Sequence, residues 1–169
     1  MLRKLALVLM MLSGAAAPSL AEKPVPNESE KVARAYMQAY SDANWDAMAP
    51  FMADDFVLVD RTNPDPSFEP EYNGPDAALR MIRAFGRDQG VIELGFEFPV
   101  VFESNNIIVF SGFVNVHAAP PGADYAYKWR TEQVSVITVK DGRVARHEDF
   151  ANYGAATTTR LPRPQPESQ

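Results

Sequence analysis

The apolar residues of the chain change period once, from helical to alternating, and that change divides it into two halves. Val32, Tyr36 and Tyr40 recur at i, i+4 and i+8 with Ala33 and Met37 beside them, a stripe along one face of a helix. Asn27 supplies its capping side chain, and Glu30 is the reciprocal partner three residues on. Ser41-Asp42-Ala43-Asn44 breaks this helix, and Asn44 caps a second, short one over residues 45–52, which Pro50 kinks or shortens by removing a backbone donor. Ala53-Asp54-Asp55 closes the helical segment. Residues 56–59 then form an apolar strand, and Asp60 follows it directly. A third helix begins at Gly74-Pro75-Asp76, with proline at the first helical position and Ala78, Ile82 and Phe85 facing inward, and residues 86–90 end it.

Beyond that point the period is two. Ile92, Leu94, Phe96, Phe98, Val100 and Phe102 alternate with polar or small residues, the pattern of a long half-buried strand. Residues 107–116 run back with apolar side chains on both faces, as a strand in the middle of a sheet or in a dimer contact does. Residues 125–139 return, with Tyr125, Tyr127 and Trp129 on one face. Asp141-Gly142 then makes a two-residue hairpin. Counting outward from it pairs Val139 with Val144, Val136 with His147, Val134 with Asp149 and Glu132 with Ala151, unless a bulge moves the set to the other face. The prediction is an α+β fold: a cone-shaped half-barrel of three N-terminal helices packed on a curved, mostly antiparallel sheet, whose cavity is the default ligand site.

The chain has 169 residues, enough for one core of ordinary size. Arg3 and Lys4, an apolar run from Leu5 to Leu12 and small residues up to Ala21 have the layout of a secretory signal peptide, with cleavage after Ala21. Residues 1–21 are therefore excluded from the fold, residues 22–27 read as an extended leader, residues 28–153 as the domain, and the proline-rich residues 154–169 as a disordered tail. The expected address is periplasmic or secreted, with no membrane anchor after cleavage. Removing Arg3 and Lys4 takes the formal charge from −6 to −8 with no basic run left, which argues against nucleic acid and anionic membrane surfaces as partners. Having no cysteine, the chain has no disulfide, thiolate or cysteine–metal chemistry.

Candidate chemistry begins at Asp60, a charge delivered to the edge of an apolar interior. The polar loop over residues 61–73 is longer than a connection needs, and its closure over Asp60 would exclude water and raise that carboxyl's pKa. Tyr36 lies in mid-stripe and needs a partner for its hydroxyl. His117 reads as a rim residue without chemistry. Two histidines on different strands make no metal-ligand signature, and no phosphate loop, nucleophile elbow or dinucleotide fingerprint occurs, so neither metal nor cofactor is expected.

With these elements in place, the chain resembles the nuclear transport factor 2-like superfamily, particularly its SnoaL-like and ketosteroid-isomerase-like branches. The resemblance rests on Tyr36, Asn44-Trp45-Asp46-Ala47-Met48, Phe51-Met52-Ala53-Asp54-Asp55, Asn73-Gly74-Pro75-Asp76-Ala77 and Asp141-Gly142-Arg143-Val144 with Arg146-His147-Glu148-Asp149-Phe150. Against the isomerase pattern it implies Asp60 as general base and Tyr36 as oxyanion-hole donor. The third isomerase group falls on Val134, or on Glu132 after a two-residue shift, a departure from that pattern. The polyketide-cyclase-like branch instead carries its acid–base aspartate on the last strand after a histidine, and His147-Glu148-Asp149 is similar. The resemblance implies a small, largely apolar ligand held in the cone among Phe96, Phe98, Phe110, Trp129 and Glu132, isomerase- or cyclase-type acid–base chemistry, and a homodimer paired through the sheet. The alternative is a ligand-binding or protein-interaction module without turnover, which would leave its carboxylates exposed or tie them to Arg61, Arg130 or Arg146.

Overall fold

Helix α1 (Glu28–Ser41) starts where the Asn27 side chain accepts the backbone N–H of Glu30 at 2.8 Å, which satisfies one of the donors that a helix start leaves without partners. In this computed structural model, which describes residues 26–62 and 71–164, α2 (Trp45–Met48) is capped in the same way by Asn44, through Ala47 N at 3.2 Å. It ends at Met48, short of the Met52 expected, because Pro50 sits in a single 3-10 turn, Ala49–Phe51. Ala53, Asp54 and Asp55 are accordingly not helical but belong to strand β1 (Met52–Arg61). Helix α3 (Pro75–Asp88) has proline at its start and buries Ala78, Leu79 and Ile82, whereas Phe85 is 52% exposed.

The remaining strands are β2 (Glu71–Asn73), β3 (Val91–Ser104), β4 (Ile107–Ala118), β5 (Tyr125–Lys140), β6 (Arg143–Ala151) and β7 (Thr157–Pro162). They hydrogen-bond in the order β2-β1-β6-β5-β4-β3, with β7 pairing β5, and every pair is antiparallel except β1 with β6. The three helices pack on this curved, unclosed sheet, the α+β half-barrel expected. Between them lies the core, built from Ala33, Tyr36 and Met37 of α1, Met48, Phe56 and Leu58, Ile82 of α3, and Ile108, Ile137 and Val144 of the sheet. Strand β4 lies between β3 and β5, so both of its edges are paired, in the interior of the sheet where its apolar sequence placed it.

One expectation fails at the C-terminus. Residues 157–162 are not a disordered tail: they form β7, paired with β5 from Arg130 opposite Thr157 to Tyr125 opposite Pro162. The expected signal peptide, most of the leader, the centre of the 61–73 loop (residues 63–70) and residues 165–169 lie outside the described residues.

Two irregularities decide which side chains face the helices. On β3, Glu97 pairs Phe113 but Val100 pairs Ser111, so Phe98 and Pro99 together face Gly112. That extra residue reverses the alternation: Phe96 and Phe98 point inward, whereas Val100 and Phe102, expected on the same face, are 53% and 54% exposed. Pro99, which has no N–H for the ladder, is suited to the bulge. On β6, Val139 pairs Val144 as the hairpin requires, but Thr138 pairs Arg146, and Ala145 has no opposite number. His147 therefore pairs Ile137 and Asp149 pairs Ser135, one residue away from the partners counted without a bulge.

Gly112 is fixed by the first bulge, since a Cβ there would overlap the Glu97 carbonyl oxygen and crowd Pro99, whereas a Cβ on Gly95 would meet nothing within 4 Å. Gly112→Ala is expected to lower unfolding stability by about 1–3 kcal/mol, the usual range for overpacking, and Gly95→Ala to change it by less than about 0.5 kcal/mol. Urea denaturation of the two variants checks the contrast.

Candidate functional site

Tyr36 and Tyr40 stand one turn apart on α1 and so share a face. Both meet the His147 ring edge-on, at centroid distances of 5.5 and 5.1 Å. The Tyr36 hydroxyl lies 2.9 Å from His147 Nδ1, and His147 Nε2 lies 2.9 Å from Asp149 Oδ1. A carboxylate oxygen only accepts, so Nε2 carries a hydrogen; the Tyr36 hydroxyl donates to Nδ1 when the imidazole is neutral and accepts from it when the ring is charged. Oδ1 of Asp149 also accepts from Ser135 Oγ and from Gln133 Nε2 at 3.0 Å. Oδ2 has the Tyr40 hydroxyl, at 3.3 Å. Tyr36, Ser135 and His147 have no solvent exposure, and Gln133 and Asp149 are buried with them.

Burial pushes the Asp149 carboxyl up, but the charge and hydrogen bond of His147, with the donors of Ser135 and Gln133, outweigh it and hold the carboxyl below its ordinary range. Burial first, and the nearby Asp149 charge second, push the Tyr36 and Tyr40 hydroxyls well up, with Asp60 adding to the effect on Tyr40. Both tyrosines thus remain protonated donors around an ionised aspartate. A hydrogen bond to a charged group contributes about 1.5–3 kcal/mol, so three donors on one oxygen offset much of the cost of removing the carboxylate from water.

Asp149 lines a cavity of about 120 Å³ between α3, the end of α1 and the inner sheet face. Its walls include Tyr40, Trp45, Leu58, Met81, Ile82, Leu94, Phe96, Val116 and Trp129, and its polar members are Asp60, Thr62, Gln133 and Asp149. An engineered apolar cavity of roughly 150 Å³ takes benzene, which sets the scale of the closed part. Strand β1 runs parallel to β6 with Leu58 opposite His147 and Asp60 opposite Asp149, so the two carboxylates are neighbours on one face. Asp60 Oδ1 accepts from Thr62 N at 2.9 Å and from Thr62 Oγ1. The arginines are engaged elsewhere: Arg61 and Arg146 with Glu148, at 3.8 and 3.1 Å, and Arg130 with Glu97 at 2.8 Å.

The structure thus brings Tyr36, His147, Asp149, Asp60, Phe96 and Trp129 into or directly behind one cavity. It does not bring Glu132 there. Glu132 is exposed and binds Asn152 Nδ2 at 2.8 Å, because the even-numbered residues of β5 point away from the helices and the β6 bulge brings His147 and Asp149 onto the face of the odd-numbered ones. Val134 is turned away for the same reason. Phe98 and Phe110 do not line this cavity either; they pack on each other in the core, 5.4 Å between ring centres. Tyr36 reaches the site from behind, through His147. The cavity-facing hydroxyl is that of Tyr40, one turn later on the same stripe and signalled in the sequence only by that spacing. Gln133 and Ser135 carry no motif and follow only from the corrected register. Tyr153, in the 3-10 turn Tyr153–Ala155 before β7, stands with its ring 6.0 Å from that of Trp129, a lining residue.

No curated protein matches the sequence. Among solved structures, a Shewanella putrefaciens CN-32 protein assigned by likeness to the SnoaL-like polyketide cyclases is 18% identical, with a TM-score of 0.65 over 78% of this chain and 94% of that one. A corresponding protein of Shewanella denitrificans OS-217 is 16% identical, with a TM-score of 0.64 over 75% and 92%. TerC, co-crystallised with polyporic acid, is 15% identical, with a TM-score of 0.62 over 76% and 95%. These likenesses establish the fold. The family model of the SnoaL-like domain matches residues 33–147, about two thirds of the sequence, and the chain belongs to that family.

Proposed function

We propose that the protein binds a small, largely apolar ligand in its cone and moves a proton on it through Asp149, in isomerase- or cyclase-type chemistry. The observation that carries this reading is the division of labour on the Asp149 carboxylate, which lines the cavity: Oδ1 is held by three donors and Oδ2 has only the long bond from the Tyr40 hydroxyl. Asp149 is the base. Its depressed pKa makes it a weak one, which suits a carbon already acidified by two flanking carbonyl groups. Tyr40 is the donor for the oxygen on which charge develops. His147 and Tyr36 are positioning residues that fix the carboxylate's orientation, and Asp60 is a second carboxylate at the mouth. That TerC, of the same fold, was co-crystallised with polyporic acid supports an organic ligand.

A non-catalytic binding module is the second reading, favoured by the same low pKa: a carboxylate stabilised this well is ready to hold a ligand and reluctant to take its proton. Export through the signal peptide, a periplasmic or secreted address and a homodimer complete the proposal. The dimer would cover the outer face, where Val100, Phe102, Ile107 and Phe150 are 40–54% exposed. Size exclusion with light scattering is expected to give twice the protomer mass at micromolar concentration, and a monomer there removes the dimer.

Proton transfer is tested by hydrogen-to-deuterium exchange in D₂O on a panel of cyclic β-keto esters followed by NMR. Asp149→Asn should reduce the protein-dependent exchange by on the order of 10²–10⁴-fold and Tyr40→Phe by about 10²-fold, with binding retained. Compounds that bind without any exchange above background would replace the catalytic reading with the binding module.

The electrostatics give a separate check. The Asp149 pKa is lower in the folded chain than in the unfolded one, so its stabilisation is complete above the ordinary value of 3.8 and fades as pH falls through the folded value. The difference in urea midpoint between the natural protein and Asp149→Asn is expected to hold at neutral pH and to close as pH drops below 3.8. A difference that does not change with pH would mean that Asp149 is folded as the neutral acid.

A further inference from the structure

The cavity that the proposed function rests on has an uneven charge balance. Asp60 and Asp149 both line it, from adjacent strands in register, and among the described residues no lysine, arginine or histidine does. His147 stands behind Asp149 and balances at most one of the two carboxylates. The nearby arginines are on glutamates instead, Arg61 and Arg146 on Glu148 and Arg130 on Glu97. Residues 63–70, between Thr62 and β2, include no basic side chain. Among the described residues neither carboxylate is tied up on both oxygens by strong donors: Asp149 gives Oδ1 to His147, Ser135 and Gln133 and keeps Oδ2 against one long bond from Tyr40, while both bonds from Thr62 go to Oδ1 of Asp60.

The other walls point the same way. Tyr40, Trp45, Phe96 and Trp129 line the cavity, with Tyr40 stacked on Phe96 at 5.1 Å and tilted against Trp45 at 6.0 Å. Aromatic faces are the negative side of the ring quadrupole and attract a cation within about 6 Å of the ring centre. Phe96 turns its faces to Tyr40 and Phe98 and so offers the cavity an apolar wall, and an anion entering here would meet two carboxylates in apolar surroundings. A neutral ligand would gain only from burial. The net charge of −6 draws cations toward the molecule before contact.

We propose that this cavity selects an organic cation, a protonated amine or quaternary ammonium group on a small apolar or aromatic body, with the charge set between Asp60 and Asp149 and the body against Tyr40, Phe96 and Trp129. This inference rests on the ligand-binding cavity of the reading above and not on its proton chemistry.

Three probes with one ring and three charges test it: benzylammonium, benzyl alcohol and phenylacetate, titrated into the full chain at pH 7 by calorimetry and ligand-observed NMR. Benzylammonium is expected to bind at least about tenfold more tightly than benzyl alcohol, and phenylacetate to show no saturable binding, the order that cation–π attraction and the two carboxylates dictate. Asp60→Asn and Asp149→Asn should each reduce the preference for benzylammonium over benzyl alcohol by about threefold or more while the affinity for benzyl alcohol stays the same. Asp60 is partly exposed at the mouth, so Asp60→Asn carries the comparison alone if Asp149→Asn does not fold. Equal binding of all three probes, or tighter binding of phenylacetate, overturns the cation inference and leaves the binding cavity standing. No binding by any probe overturns both. A preference for benzylammonium that survives both substitutions would place the charge elsewhere and also overturns it.

Discussion

An ionised carboxylate beneath a layer of helices must be compensated where it stands, and Asp149 is compensated by parts of the chain that are distant in sequence. Its own strand gives His147, the neighbouring strand gives Ser135 and Gln133, and α1 gives the two tyrosines, one directly and one through His147. Among the described residues no buried side-chain nitrogen or oxygen lacks a partner. A network in this condition is stiff, because each member's removal leaves another buried polar group unpaired. The docking of α1 on the sheet is therefore specified twice: by the apolar contacts of Ala33 and Met37, which fix the face, and by Tyr36, whose hydroxyl fixes the position along the helix.

The one parallel pairing does the rest. A chain of hairpins would give an antiparallel sheet throughout, with each strand beside its neighbour in sequence. Here β1 departs into β2 and α3 and is met by β6 only after three long strands, parallel and in phase from Val57 opposite Arg146 to Arg61 opposite Phe150. Because that register is in phase, Asp60 and Asp149 fall on the same face, where two like charges raise each other's cost. The fold keeps both without placing a basic side chain in the cavity lining among the described residues, and that is a feature of the site more than of the scaffold.

Much of the fold was legible because its signals are local. The caps at Asn27 and Asn44, proline at the start of α3, the Asp141-Gly142 turn and the change from helical to alternating period each depend on a few neighbouring residues. The candidate site was legible by halves. His147 and Asp149 announce themselves by type and spacing, but their partners are set by a bulge at Ala145, and alanine carries no bulge signal. Counting without it exchanges Ser135 and Gln133 for Val134 and Glu132. The bulge at Phe98 and Pro99 misplaced Val100 and Phe102 in the same way, although there Pro99 and the opposing Gly112 were visible signs. Strand β7 was hidden because Thr157 to Pro162 has little apolar surface of its own; its order comes from the backbone edge that β5 offers beyond the end of β6.

The same bulge decides which charged side chains reach the inner face of the sheet. Had β6 been regular, Arg146 and Glu148 would follow Val144 inward and the cavity would hold a self-neutralised ion pair. That pair, with Arg146 Nε 3.1 Å from Glu148 Oε2, instead forms on the other face in contact with water, where it contributes little. The inserted residue exchanges it for a histidine and an aspartate on the side of low dielectric, where a single charge acts strongly on a ligand. One unpaired residue in a hairpin thus sorts four consecutive side chains, sending Arg146 and Glu148 outward and His147 and Asp149 to the inner face, where Asp149 reaches the cavity.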